Sequence, residues 1–201
     1  EQAWGHLCSG GTVANIEALW VARNVRLFPW QLALARSRAN HALKATLDTL
    51  LAETGCEFCW ANPGLMSIEH SLNLYTQLQI SAQTNLELGK LLNSVSVINL
   101  GLLDFHLACQ NELKQTPKKL RIAYSQNAHY SLRKSMGLLG LGENAALQIP
   151  LNRHLRMDID VLKDKILALP EDELLLAVVG VYGSTEEGAV DDFDRLVALR
   201  Q

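Results

Sequence analysis

The chain predicts an α/β fold, a mainly parallel sheet with flanking helices, and three observations carry that prediction. From residue 120 onward, short apolar strands alternate with amphipathic helices. That order suits a parallel sheet with right-handed crossovers. Residues 174–182 are almost wholly apolar, as a strand covered on both faces should be. Of the 201 residues, 48% are hydrophobic and 19% charged, a balance that builds a substantial core and excludes a disordered chain.

The elements follow in order. Residues 12–27 read as a mostly buried helix with Ile16, Leu19, Trp20 and Leu27 on one face. A second helix is expected over 31–54, then a loop over 55–64 with Pro63-Gly64 as its turn. Ser67 can cap a helix carrying Ile68, Leu72, Tyr75 and Leu78. Residues 84–114 read as helical, interrupted near Gly101, with a β-branched cluster over 95–98. A strand is expected over 120–124, a helix over 130–139, and a strand over 147–149 ended by Pro150. Asp158 caps a helix with Ile159, Leu162, Ile166 and Leu169 on its apolar face. The strand 174–182 and an amphipathic helix from Asp192 to Gln201 close the chain.

Bulk properties narrow the function classes. The net charge is -3, and no basic stretch exceeds Lys118-Lys119 with Arg121, which disfavours nucleic acid and anionic membrane as partners. No apolar run approaches a membrane span and no signal peptide is visible. Four cysteines in a chain this long do not make a secreted disulfide scaffold, so a reducing cytoplasm is expected. A committed glycine loop opens the chain almost at once and the last helix has no stop signal. Both features predict an internal piece of a longer protein, with N-terminal and C-terminal parts missing.

The glycine loop, Cys8 to Asn15, carries the strongest local chemistry. Gly10 and Gly11 let the backbone approach a ligand, and Ser9 and Thr12 add hydroxyls just before a long helical run. The first free N–H groups of a helix point at an anion with the positive end of its dipole, and a phosphate is the expected guest. In a parallel sheet, ligands collect beyond the carboxyl ends of the strands. Two polar connections emerge there, 125–129 with His129, and 183–188 with Ser184 and Thr185. The competing readings are structural: a helix cap, a histidine bonded to backbone, and turn-forming hydroxyls. Cys56 and Cys59 form a C-x-x-C without the second ligand pair that zinc needs or the strand before it that a redox motif needs. Asp191, Asp192 and Asp194 are explained by a helix start, where acidic side chains favour the dipole. Glu186 and Glu187 are solvated loop residues, His41, His70, His106 and His154 show no partner spacing, and no metal site is expected.

The strings Gly5 to Asn15, Ala128-His129-Tyr130-Ser131, Arg156-Met157-Asp158 and Gly183 to Asp191 resemble the pyridoxal-phosphate-dependent amino-acid decarboxylases of group II, in order and in spacing. The wording of 17–24 and 184–191 is most similar to the bacterial tyrosine decarboxylase branch. The match is strong over 4–30 and 120–200 and weak over about 31–115, which reads as a helical insertion. The resemblance implies the large, cofactor-binding domain of fold type I pyridoxal-phosphate enzymes, a cytoplasmic homodimer, and a small amino-acid substrate. It makes Gly10, Gly11 and Thr12 the phosphate cradle, His129 the catalytic histidine stacked on the cofactor ring, and Ser184 and Thr185 the hydroxyls near that ring. The family also needs a lysine for the Schiff base and an aspartate facing the pyridine nitrogen. No lysine here matches that motif, so both are expected beyond Gln201. Two further readings stand beside tyrosine decarboxylation: decarboxylation of aspartate or glutamate, and a non-catalytic binding module of the same fold.

Overall fold

The computed structural model describes residues 5–55, 58, 60 and 62–199. The Cys56/Cys59 pair therefore lies outside the described residues. Two compact units form: Glu1–Ala22 with Lys118–Gln201, and Arg23–Pro117.

The first unit is α/β, as expected. Its three strands, β1 (Lys119–Ser125), β2 (Ala146–Ile149) and β3 (Glu173–Val179), form one sheet in the order β2-β1-β3, with both pairings parallel. The chain runs from β1 through α6 (Ser131–Leu138) to β2, then through α7 (Ile159–Leu167) to β3 on the other side of β1. Ala123, Ile149, Met157, Ile159 and Leu162 form its buried core, with Leu147, Ile166, Leu175 and Leu196 packed against them. Arg121 braces the start of the sheet. Its Nη1 donates to the Asn144 carbonyl at 2.7 Å, and its Nε lies 3.4 Å from Glu173 Oε2. Asp158 caps α7 as expected, accepting from the N–H groups of Asp160 and Val161.

Two expectations for the end of this unit change. β3 stops at Val179, and Tyr182 instead forms an isolated antiparallel bridge with Val190. β3 is also an edge strand, and Val178 is 36% exposed, so its apolar run is not covered on both faces. Gly180 marks the turn out of the sheet. A Cβ there would come within 2.8 Å of the Phe193 ring, because α8 (Phe193–Ala198) packs directly over it.

The second unit is helical: the remainder of α1 (Gly11–Arg38), then α2 (His41–Glu53), α3 (Ile68–Thr84), α4 (Leu86–Ser94) and α5 (Val97–Ala108) with a π-helical turn over Cys109–Leu113. The expected break near residues 28–30 does not occur. Pro29 lies inside α1, although it removes a backbone donor and crowds the preceding turn at a cost of about 3 kcal/mol. Residues 27–30 and 32–35 are buried on every side of the helix, and that apolar burial offsets the loss. The break falls instead at Asn40, inside the stretch expected to be one helix. Its Oδ1 accepts from the Leu43 N–H at 2.9 Å and starts α2.

Ser67 caps α3 as expected. Its buried stripe is Ser71, Leu74 and Leu78, while Ile68, Leu72 and Tyr75 are exposed. The interruption at Gly101 is real, since its φ of 74° is non-helical. Among the described residues no single helix is long and apolar enough to cross a membrane, although α4 with the 97–113 stretch passes by length and composition as a pair bent by 53°.

Candidate functional site

At the carboxyl end of its sheet, the α/β unit ties several loops together through side-chain polar bonds. In the order β2-β1-β3 the chain leaves β1 to one side and returns on the other, so the crevice between the carboxyl ends of β1 and β3 is a switch point of the kind where ligands bind. The loop after β1 carries His129 and the loop after β3 carries Ser184 and Thr185. Lys119, by contrast, sits at the opposite end of β1, paired with Asp172 at 2.8 Å. Lys165 is bonded to the Gln148 carbonyl at 2.7 Å.

The N-terminus of α1 supplies the anion-facing backbone. The first intrahelical bond runs from the Ala14 N–H to the Gly10 carbonyl at 3.1 Å, so the N–H groups of Gly11, Thr12 and Val13 precede the ladder. No acidic side chain occupies the first turn. A Cβ built on Gly10 or Gly11 meets nothing within 4 Å, which leaves the backbone open to close approach. Just before this turn, His6, Cys8 and Glu17 bond to one another. The His6 Nε2 lies 2.5 Å from Glu17 Oε2, and the Cys8 thiol donates to the same oxygen at 3.2 Å. The bonds from His6 and then Cys8 hold the Glu17 carboxyl below the usual range. The bond to Glu17, more than burial, pushes the Cys8 thiol up. These mutual bonds account for the convergence of the three groups.

His129 is tied to the same helix. Asn15 Nδ2 donates to Ser131 Oγ at 2.8 Å, and Ser131 Oγ lies 2.9 Å from His129 Nδ1. The Ser131 backbone N–H also donates to Nδ1, at 3.2 Å. The ring itself stays exposed, 4.3 Å from the Tyr130 ring between centroids. The two structural features named beside the histidine reading, a helix start and a backbone bond, are thus both present, yet the residue remains exposed.

The remaining motifs are wired to one another. Asn127 accepts from the Ser125 hydroxyl at 2.7 Å and donates to the Leu155 carbonyl at 3.1 Å, fixing the His129 loop to the 152–156 turn. Asp191 joins that region to the loop after β3: its Oδ1 accepts from the Met157 N–H and its Oδ2 from the Val181 N–H, each at 2.7 Å. Asp191 is buried and lies outside α8, so its role is to clamp two backbone segments, not to favour a helix dipole as expected. Only Asp192 caps α8, accepting from the Arg195 N–H. Ser184 is also buried, and its hydroxyl works within its own loop, donating to Glu187 at 2.8 Å and accepting from the Ala189 N–H at 3.0 Å. Glu187, expected to be merely solvated, is that hydroxyl's partner. Thr185 is exposed.

Sequence reasoning missed Asn15, Ser131, Asn127 and Asp191 as organisers of this region. All but Asn127 stand within the motif strings quoted above, but nothing in their spacing marks them as partners.

No family model matches the chain. It is 31% identical over 201 residues to an L-tyrosine decarboxylase of Enterococcus faecalis, and 30% identical over 202 residues to one of Levilactobacillus brevis; each alignment takes in all of this chain and 27% of the relative. It is 26% identical to an aspartate 1-decarboxylase of Aliivibrio fischeri, again over the whole chain and 25% of that protein. The chain thus spans about a quarter of the length of these relatives. The helical unit is included in all three alignments. A solved structure, the glutamate decarboxylase domain of a diaminobutyrate-pyruvate transaminase and L-2,4-diaminobutyrate decarboxylase from Vibrio parahaemolyticus, is 37% identical over 41% of this chain and 18% of that one, with a TM-score of 0.39.

Proposed function

From a chain that is, over its full length, a relative of bacterial L-tyrosine decarboxylases and so of the group II pyridoxal-phosphate decarboxylases, we propose that the parent protein removes CO₂ from an L-amino acid, tyrosine first, to give the amine. The observation that carries this reading is the hydrogen-bond wiring. The four strings quoted for the resemblance lie far apart in sequence; Asn15–Ser131 links the first two, Asp191–Met157 the last two, and Asn127–Leu155 joins residues flanking the second and third.

The residues present fit the cofactor. Gly10, Gly11 and Thr12 offer N–H groups and open space to its doubly charged phosphate. The exposed His129 suits a flat ring. Thr185, with its side chain exposed, is the hydroxyl free to approach that ring, since Ser184 is bonded to Glu187 and Ala189. When bound, pyridoxal phosphate supplies the electron sink for the pair left at Cα as CO₂ departs. The task of this chain is then to hold the phosphate at the start of α1 and to fix the tilt of the ring through His129. On this reading the lysine and the pyridine-facing aspartate come from the part of the parent that this chain, about a quarter of its relatives' length, does not span, and the parent acts in the cytoplasm as a homodimer.

A second reading, decarboxylation of aspartate, is favoured by the whole-chain match to an aspartate 1-decarboxylase. The test incubates the full-length parent with pyridoxal phosphate and each common amino acid, and follows amine and CO₂. Tyramine from tyrosine is expected, β-alanine from aspartate would select the second reading, and no amine from any amino acid overturns both.

A further inference from the structure

Ser131 is completely buried and yet makes three polar contacts around one point. Its hydroxyl lies 2.8 Å from Asn15 Nδ2 and 2.9 Å from His129 Nδ1, and its backbone N–H points at the same Nδ1 from 3.2 Å. The directions of these bonds can be settled. A backbone N–H only donates, so Nδ1 must present its lone pair to it. Nδ1 then accepts from the Ser131 hydroxyl as well, and the hydroxyl, having given its proton away, accepts from the Asn15 amide. The chain of donation runs one way, from Asn15 to Ser131 to His129, and the neutral imidazole carries its proton on Nε2.

We propose that Asn15 and Ser131 are positioning residues which set the tautomer and the plane of His129, so that its Nε2–H faces away from the helix start as a fixed donor. Their assignment to a catalytic purpose rests on the function proposed above; the tautomer itself does not. The link also explains why the anion-facing turn and the histidine keep one geometry. The Asn15 side chain leaves α1 one turn after Gly11, and Ser131 opens α6 directly after the His129 loop. A ring whose Nδ1 is held by two donors cannot swing about its χ angles without losing both. In the proposed enzyme Nε2–H is thereby offered to an oxygen of the bound amino acid, its carboxylate being the group of matching charge.

The experiment uses the full-length protein without cofactor, labelled with ¹³C,¹⁵N-histidine, and reads imidazole nitrogen shifts by solid-state NMR, with His129→Asn to assign the signal. In the wild type Nδ1 is expected to be unprotonated and Nε2 protonated. Asn15→Asp has the same shape and can only accept while ionised, so it draws the Ser131 proton away from His129. Because the Ser131 backbone N–H still donates to Nδ1, the expected result is a mixture, with protonated Nδ1 appearing beside the wild-type tautomer. Ser131→Ala, which leaves the backbone donor alone, is expected to loosen the ring and broaden the Nδ1 signal, and Ser131→Thr, which keeps the hydroxyl, to restore the wild-type signal. In turnover, Asn15→Asp is expected to lower kcat with little change in KM. A protonated Nδ1 in the wild type, or a tautomer unmoved by Asn15→Asp, overturns the proposal. Should Ser131→Ala fail to fold, Asn15→Asp still decides. A wild type that makes no amine but shows the tautomer response defeats the proposed function and leaves the positioning intact; amine formation with an unmoved tautomer does the reverse.

Discussion

The two units bury polar side chains for different purposes. In the helical unit, buried Ser71 donates to the Ser67 carbonyl and buried Ser96 to the Asn93 carbonyl while capping α5; each bond stays within about one turn. In the α/β unit, Asp191 reaches residues 10 and 34 positions away, and Ser131 is bonded to a residue 116 positions away. The two buried serines of the helical unit thus serve local turns and caps, and its long-range polar bonds, such as Gln31 to the Leu92 carbonyl and Arg38 to Glu112, are made by side chains that are not buried. In the α/β unit, buried Asp191 and Ser131 make long-range bonds instead, each needing a defined partner, and both stand at the carboxyl end of the sheet. Buried polar groups are costly unless fully bonded, so their concentration there is a better guide to function than the hydrophobic core, which both units possess.

The contrast can be broken by substitution. The largest effect is expected for Phe105→Ala in the helical unit, where a fully buried ring is lost at a cost of about 3–5 kcal/mol. Urea melts measure that loss, and Cys109, one turn further on, reports where it falls. Burial pushes the Cys109 thiol up to about 12, so iodoacetamide at neutral pH should spare it in the native protein and label it in the variant. Labelling of native Cys109 at the rate of a free thiol would disprove the apolar seal.

Asp191→Asn should cost less, about 1–3 kcal/mol, because one of two buried N–H groups loses its acceptor. Hydrogen exchange is expected to quicken at Met157 or Val181 and to stay unchanged in the helical unit. Quickening spread through both units would remove the distinction between them.

The smallest effect tests the start of α1. The Glu17 carboxyl is held below its ordinary value by His6 and Cys8, so its contribution is complete above the unfolded carboxylate range and is lost as pH falls through the lower folded value. The stability difference between wild type and Glu17→Gln should be present at neutral pH and vanish in acid. A difference that grows in acid would refute the bonding at Glu17.

Legibility in the sequence followed the same division. The strands of the α/β unit and the Asp158 cap were readable because period and cap chemistry are local. The helical unit misled at Pro29, where burial on every side outweighs a strong local breaker, and at Asn40, whose capping role is visible only once the chain turns there. The expected site residues Gly10, Gly11, Thr12 and His129 lie in segments joined through Asn15 and Ser131. What composition and spacing could not reveal was the wiring itself. A hydrogen bond between residues 15 and 131 leaves no trace in either stretch taken singly.

The Asp191 clamp also has a consequence for the order of assembly. Its partners sit in the segment before α7 and just past the end of β3; the Val181 bond is local, but the Met157 bond cannot close until the chain has returned across β1. The entropy of closing those loops must be met first, by the sheet and by the Met157–Leu162 core. Within this unit, the 183–188 segment is thus tied to the segment before α7 only after β3 has paired with β1. The sheet is built before its rim.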